Sequence, residues 1–303
     1  MLSGGVGGAR FVQGVVLATE PGDVTVVGNV GDDLEVLDLH VSPDLDSILY
    51  ALADLNDERR GWGRADETWR VLETVGSLGG ETWFQLGDLD LGLHLVRTQA
   101  LRSGEPLSSV TQRLAQALGI EPRLLPATDD RLRTWIRTPE GEFPFQEWFV
   151  ARGHRDEVDG VRCEGEENAT AAPGVLEAIA DADLILLAPS NPYVSIGPIF
   201  AVTPIREALA ARRVPSVAVS PLIAGRAVKG PADRMLARLA GGTSPAHVAG
   251  AYPGLIDALV VDEADAHDLD GLAGVRPIVT RTLMTDLEAR KRLAEAALGA
   301  VAV

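Results

Sequence analysis

Cysteine is nearly absent: Cys163 is the only one in 303 residues. One thiol excludes an internal disulfide and a thiolate zinc cluster, so the core itself must hold the fold. Long apolar runs are missing as well. No stretch approaches the roughly 18 residues that a membrane span requires. The N-terminus carries neither the basic segment nor the apolar centre of a signal peptide. These absences predict a cytoplasmic protein with no membrane partner. Positive charge is scarce, with 27 Lys and Arg against 44 Asp and Glu, a net charge of −17. A nucleic-acid backbone needs a basic surface and is excluded as a partner. A small phosphorylated ligand is not, because a local cradle of N–H groups, a few cations and a divalent metal suffice to hold it.

The chain is 46% hydrophobic and 23% charged, ordinary for a globular protein with a sizeable core. Four short apolar runs read as strands: Val24–Val27, Leu184–Ala188, Val217–Ser220 and Ala258–Val261. Helical patterns lie between and around them, at Gly8–Ala18, Pro43–Leu55, Leu107–Leu118, Val175–Ala180, Pro204–Arg212, Pro231–Leu239 and Asp286–Leu298. This alternation predicts an α/β fold, a Rossmann-like, mainly parallel sheet with helices on both faces. Residues 56–172 break the rhythm, being rich in arginine, tryptophan and acidic residues. They read as an insertion or cap, mostly helical, with a hairpin near Thr134–Glu147, within one domain spanning 1–303.

Candidate chemistry follows the strands. Gly4, Gly5, Gly7 and Gly8 directly precede the pattern of the first helix. Glycines allow close backbone approach, and a helix N-terminus offers free N–H groups to phosphate. Such a loop normally follows a strand of about five residues; only Met1 and Leu2 precede Ser3, which predicts a short first strand or a natural start further upstream. After the second run come Asn29, Gly31, Asp32 and Asp33, then His40-Val41-Ser42-Pro43-Asp44-Leu45-Asp46. Ser42 reads as an N-cap and Pro43 as the first helical residue, which puts Asp44 and Asp46 in a first turn. Carboxylates beside a phosphate site repel it unless a hard cation intervenes, and Mg²⁺ uses one or two of them plus phosphate oxygens. Asp44 is the expected Mg²⁺ ligand. Asp90, His94 and Arg97 share one helical face, downstream of Asp88. Trp62, Trp69, Trp83 and Phe84 form either core or the wall of a flat ligand. In the second half, Ser190, Asn191 and Ser195 occupy a turn-forming loop after a strand, and Arg226 and Lys229 offer cations to a diphosphate.

Taken together, Ser-Gly-Gly-Val-Gly-Gly-Ala-Arg, Asn-Val-Gly-Asp-Asp, His-Val-Ser-Pro-Asp-Leu-Asp, Leu-Gly-Asp-Leu-Asp, Pro-Ser-Asn-Pro and Val-Lys-Gly-Pro resemble the CofD/FbiA family from Leu2 to about Leu298. The resemblance implies a Mg²⁺-dependent transferase of the 2.7.8 type in deazaflavin coenzyme F-420 biosynthesis. Members join a three-carbon phospho-acid, carried as a guanosine diphosphate ester, to the deazaflavin Fo and release GMP. It implies that the ribityl hydroxyl of Fo attacks phosphorus, that the loop Gly4–Gly8 holds the diphosphate, and that Asp46 or Asp88 orients or deprotonates the hydroxyl. Asn29, Gly31, Asp32, Asp33, His94, Ser190, Asn191, Ser195 and Lys229 complete the expected binding set. Leu89 stands where some members carry a basic residue. With the glycine-rich opening, this resembles the actinobacterial branch and favours the enolpyruvyl donor over the 2-phospho-L-lactyl one. A homodimer is the base-rate expectation.

Two other readings compete. A YvcK-like nucleotide-sugar-binding regulator shares the glycine loop and Asn-x-Gly-Asp-Asp, but would continue with a Gly/Ser-rich stretch rather than Leu34-Glu35-Val36-Leu37. A nicotinamide enzyme would need glycine where Arg10 stands.

Overall fold

The computed structural model of the protein describes residues 1–300. Seven strands form the central sheet: β1 (Leu2–Ser3), β2 (Thr25–Gly28), β3 (Arg123–Pro126), β4 (Ile185–Leu187), β5 (Ser216–Val219), β6 (Ala258–Asp262) and β7 (Arg276–Thr280). Their spatial order is β7-β6-β5-β4-β1-β2-β3, and every adjacent pair is parallel. β5 and β6 are buried along their whole length, as continuous apolar strands covered on both faces must be. β1 holds the centre with two residues, Leu2 pairing with Val27 on one side and Leu187 on the other.

The winding reverses between β1 and β4, and ligands of open α/β sheets bind beyond the carboxyl ends of strands at such a point. β1 leads into helix α1 (Gly5–Ala18), which packs against helix α2 (Pro43–Leu52) and the C-terminal helix Leu287–Gly299. Between β2 and α2 an antiparallel hairpin pairs Leu34–Val36 with Leu39–Val41. Its two-residue turn has both Leu37 and Asp38 at positive φ, the geometry that closes hairpins tightly. That hairpin returns the chain to where it left β2, so Asp44 lands next to Asp32.

Residues 56–172 lie only partly outside the sheet. They contain α3 (Arg70–Ser77), α4 (Asp88–Arg102), helix Leu107–Ala117 and a small antiparallel sheet of Arg133–Thr138, Gly141–Pro144 and Gly160–Glu164. They also supply β3, which pairs with β2 at the sheet edge. The expectation of a pure insertion is therefore corrected at Arg123–Pro126. The run Leu124-Leu125 is too short to signal a strand, and parallel pairing to β2 makes it one.

Candidate active site

A cavity of about 800 Å³ opens at the carboxyl ends of the central strands. Its floor comes from both halves of the fold: Gly4, Gly5 and Gly7 after β1, Asp32 after β2, Pro189, Ser190 and Asn191 after β4, and Ser220 after β5. Gly4 has to be glycine, since a Cβ there would stand 2.6 Å from Asp44 Oδ2 and 3.0 Å from Ser195 Cβ. Gly5 adopts φ 68 at the helix entry. Ser190 ties the loop across the sheet, its hydroxyl donating to Gly4 O at 2.7 Å.

Four carboxylates, Asp32, Asp33, Asp44 and Asp46, are buried together. Asp46 is neutralised by Arg97, which donates from both terminal nitrogens, one at 3.0 Å. Asp33 accepts from Ser42 Oγ at 2.9 Å and faces His40 Nε2 at 3.0 Å. Neither Asp32 nor Asp44 has an ion-pair partner among the described residues. Asp44 accepts from Asn29 Nδ2 at 2.9 Å, and Asp32 Oδ1 is buried with no hydrogen-bond partner. Burial pushes the Asp44 carboxyl up to about 6, against the pull of Asn29 and the Gly5 amide and with help from Asp33 and Asp46. Burial, and then the charge of Asp44, raises Asp32 well above the usual carboxylate range. Two adjacent carboxylates without a cation, facing a cavity, are the donor set a hard divalent ion takes. No cluster of three or more such side chains completes a coordination shell among the described residues, so the remaining ligands would come from substrate and water.

Aromatic side chains line the cavity: Trp62, Trp83 and Phe84 before α4, and Phe145, Phe149 and His154 after the small antiparallel sheet's hairpin. The rings of Phe145 and Phe149 stack at 5.2 Å, and Phe149 and His154 at 5.1 Å. This arrangement brings the glycine loop, a carboxylate pair without an ion-pair partner and aromatic side chains into one volume.

The family model described as 2-phospho-L-lactate transferase CofD matches residues 1–289. The chain belongs to the CofD family. It is thus a transferase whose family acts in coenzyme F-420 biosynthesis, with small-molecule substrates. Curated proteins named phosphoenolpyruvate transferase are similar over nearly their whole length. That of Kitasatospora aureofaciens is 45% identical over 98% of this chain and 95% of its own. Those of Thermobifida fusca and Mycolicibacterium smegmatis are each 41% identical over 98% of this chain and 96% and 97% of theirs. Two solved structures of protein BH3568 from Bacillus halodurans, one described as a member of the UPF0052 family, share the fold. They superpose with TM-scores of 0.66 and 0.64 at 19% and 20% identity, covering 98% of both chains. No helix among the described residues is long and apolar enough to cross a membrane.

Within this CofD-family cavity lie Gly4, Gly5, Gly7, Asp32, Asp44, Asp46, Ser190, Asn191, Ser195 and Lys229 of the expected set. Asn29, Gly31, Asp33 and His94 stand behind it. Asn29 is fully buried and aims Asp44, its own Oδ1 accepting from Gly31 N at 2.8 Å. His94 is buried in α4, 3.3 Å from Arg97 Nη1 and 3.3 Å from Asp90 Oδ1, so it braces the Asp46–Arg97 pair rather than binding a ligand. Gly8 serves packing: a Cβ there would meet Ser3 Oγ at 2.5 Å.

Two expectations are corrected. Asp88 does not line the cavity; its carboxylate accepts from Thr68 Oγ1 at 2.5 Å and from the amides of Arg70 and Val71, tying down the start of α3. Those three bonds give it a structural role. Ser42 sits at the N-cap of α2 with Pro43 following, but its hydroxyl donates to Asp33 instead of capping the helix. Among lining residues that the sequence did not single out, Arg10, Ser47, Tyr50, Phe149, His154 and Thr282 stand out. Only Arg10 had a usable signal, as the first cation after the glycine loop.

Proposed function

We propose that this CofD-family transferase moves a phosphoenolpyruvyl group from a guanosine diphosphate ester to Fo, releasing GMP and forming dehydro coenzyme F-420-0. The observation that carries the reading is the unneutralised Asp32–Asp44 pair beside the glycine loop at the switch point of the sheet. The donor follows the printed names of relatives at 41–45% identity; the family description names 2-phospho-L-lactate instead, so the 2-phospho-L-lactyl donor is the competing substrate. The stacked rings of Phe145, Phe149 and His154 suit a flat ring system, the deazaflavin or guanine.

The amides of Val6 and Gly7, at the positive end of α1, hold the diphosphate, while the Gly5 amide holds Asp44. Asp44, with Asp32, would hold Mg²⁺, which when bound neutralises charge on the phosphate oxygens. The ribityl hydroxyl of Fo attacks the phosphorus bearing the acid; the new P–O bond forms as the bond to the GMP phosphate breaks, and the hydroxyl proton leaves with the departing GMP or to water. Asp46, fixed by Arg97, orients the hydroxyl as a hydrogen-bond acceptor on the cavity wall. Transfer of this kind rests on positioning and electrostatics, so no covalent nucleophile is required.

The test is a mass-spectrometric assay of the purified protein with Fo, Mg²⁺ and each guanosine diphosphate donor in turn. A new Fo phosphodiester with GMP is expected from the enolpyruvyl donor. Product from the 2-phospho-L-lactyl donor alone would overturn the donor assignment, and no product from either would overturn the transfer itself.

A further inference from the structure

Lysine is rare in this chain: Lys229 and Lys291 are the only two. Lys229 lines the cavity, and its Nζ donates to Gly61 O at 3.5 Å from the far side of the sheet order. Arg10 lines the same cavity from the second turn of α1. Gly61 is where they meet. A Cβ on Gly61 would fall inside contact distance of Lys229 Nζ and 3.8 Å from Arg10 Nη2. Two cations from positions 10 and 229 therefore converge on one buried glycine in a protein of net charge −17.

Arg10 is not left to wander. Glu58 accepts from its Nη2 at 3.1 Å, while the Nε is buried without a partner. Glu58 is itself gripped by Arg290 at 2.6 Å and by Asn56 at 2.8 Å. Arg290 is 1% exposed, reaches across from the C-terminal helix, and also donates to Gln13. Gln13 in turn donates to Ala51 O at 2.9 Å and Asp54 Oδ1 at 2.8 Å. Glu58 occupies only one terminal nitrogen of Arg10, and the buried Nε has no partner, so an anion in the cavity finds N–H groups free to bond it.

We propose that Arg10 and Lys229 form a two-cation clamp for the phosphate oxygens of the donor, resting on the donor reading above. Glu58 is a positioning residue: it is anchored by Arg290 and aims the Arg10 guanidinium into the cavity. Gly61 supplies the clearance the clamp needs, because any side chain there displaces Lys229.

Inorganic pyrophosphate titrated calorimetrically into the full-length protein tests this directly. Arg10→Gln and Lys229→Gln are each expected to weaken its binding roughly tenfold, the scale of a lost charge-assisted hydrogen bond. Glu58→Ala is expected to weaken it several-fold, with part of the loss recovered in Glu58→Gln, which keeps an acceptor oxygen. Gly61→Ala is expected to match Lys229→Gln. Pyruvate, a carboxylate without phosphorus, should show no dependence on either cation; dependence confined to pyruvate would overturn the phosphate assignment. Unchanged pyrophosphate affinity in folded Arg10→Gln and Lys229→Gln would overturn the clamp. A lower melting temperature in Glu58→Ala with unchanged pyrophosphate affinity would reduce Glu58 to a structural link and overturn its positioning role. The transfer assay separates the two readings. Absence of product alongside Arg10-dependent pyrophosphate binding removes the transferase reading and keeps the clamp. Product with an unchanged donor KM in both variants removes the clamp and keeps the transferase.

Discussion

Replacing Asp44 with Asn sets function against stability at a single atom. The Asp44 carboxyl binds its proton more tightly in the folded chain, at about 6, than at its ordinary 3.8. Native stability therefore falls as pH rises from about 4 to 6, and the whole cost is present at pH 7.5. At about 1.4 kcal/mol per pH unit this comes to about 3 kcal/mol. Asp44→Asn, uncharged at every pH, should thus gain about 3 kcal/mol without metal, a rise in melting temperature of about 5 °C for a chain of this size. The gain should shrink as pH is lowered through 6 and vanish near 4. Mg²⁺ should offset nearly all of this gain, because an ion at 100 times its dissociation constant stabilises the wild type alone by about 2.7 kcal/mol. Transfer should be lost. The assay is thermal unfolding of both proteins across pH 4–8, with and without Mg²⁺. A variant that melts below the wild type at pH 7.5 without metal, or an offset that ignores pH, would refute the argument.

Three other outcomes are expected. Asp88→Ala should retain turnover within about twofold and lose about 1 kcal/mol of stability, the scale of a lost helix cap; abolished transfer in a folded protein would return Asp88 to the active site. Arg97→Met leaves Asp46 buried and unpaired, and should cost about 3–5 kcal/mol, seen as a lowered denaturation midpoint. Phe149→Ala removes the middle ring of the Phe145–Phe149–His154 stack and should weaken one ring-bearing ligand roughly tenfold; separate fluorescence titration of Fo and calorimetry with GMP show which, and equal affinities for both would remove the stack from recognition.

The interior of the fold was readable because buried parallel strands are written as unbroken apolar runs. Thr25–Gly28, Ser216–Val219 and Ala258–Asp262 lie within a residue of the positions their sequences predict. The edges were not. β7, Arg276–Thr280, is half exposed and begins Arg-Pro, and β3 ends on proline, so neither carries the signal that burial on both faces imposes. The same divide runs through the cavity. Asp32 and Asp44 are twelve residues apart, and a short hairpin is enough to join them. Arg10, Glu58, Lys229 and Arg290 meet only through packing of α1, the 56–63 loop and the C-terminal helix, and no local pattern encodes that. Asp88 misled because an acidic residue opening a helix looks alike whether it serves a substrate or ties down a neighbouring helix.

The brevity of β1 has a consequence for the order in which the protein can take shape during synthesis. Leu2 and Ser3 are translated before both of their neighbours, and Val27 and Leu187 arrive far apart in time. At about 5–20 residues per second, the second neighbour follows the first by about 8–30 s. Through that interval a two-residue strand with one flank open has little to hold it, and the glycine loop lacks the Ser190 hydroxyl that fixes Gly4. The first part of the cavity lining to be translated is thus among the last to be built. A nascent chain paused before residue 185 would carry all four buried aspartates and no completed place to put them.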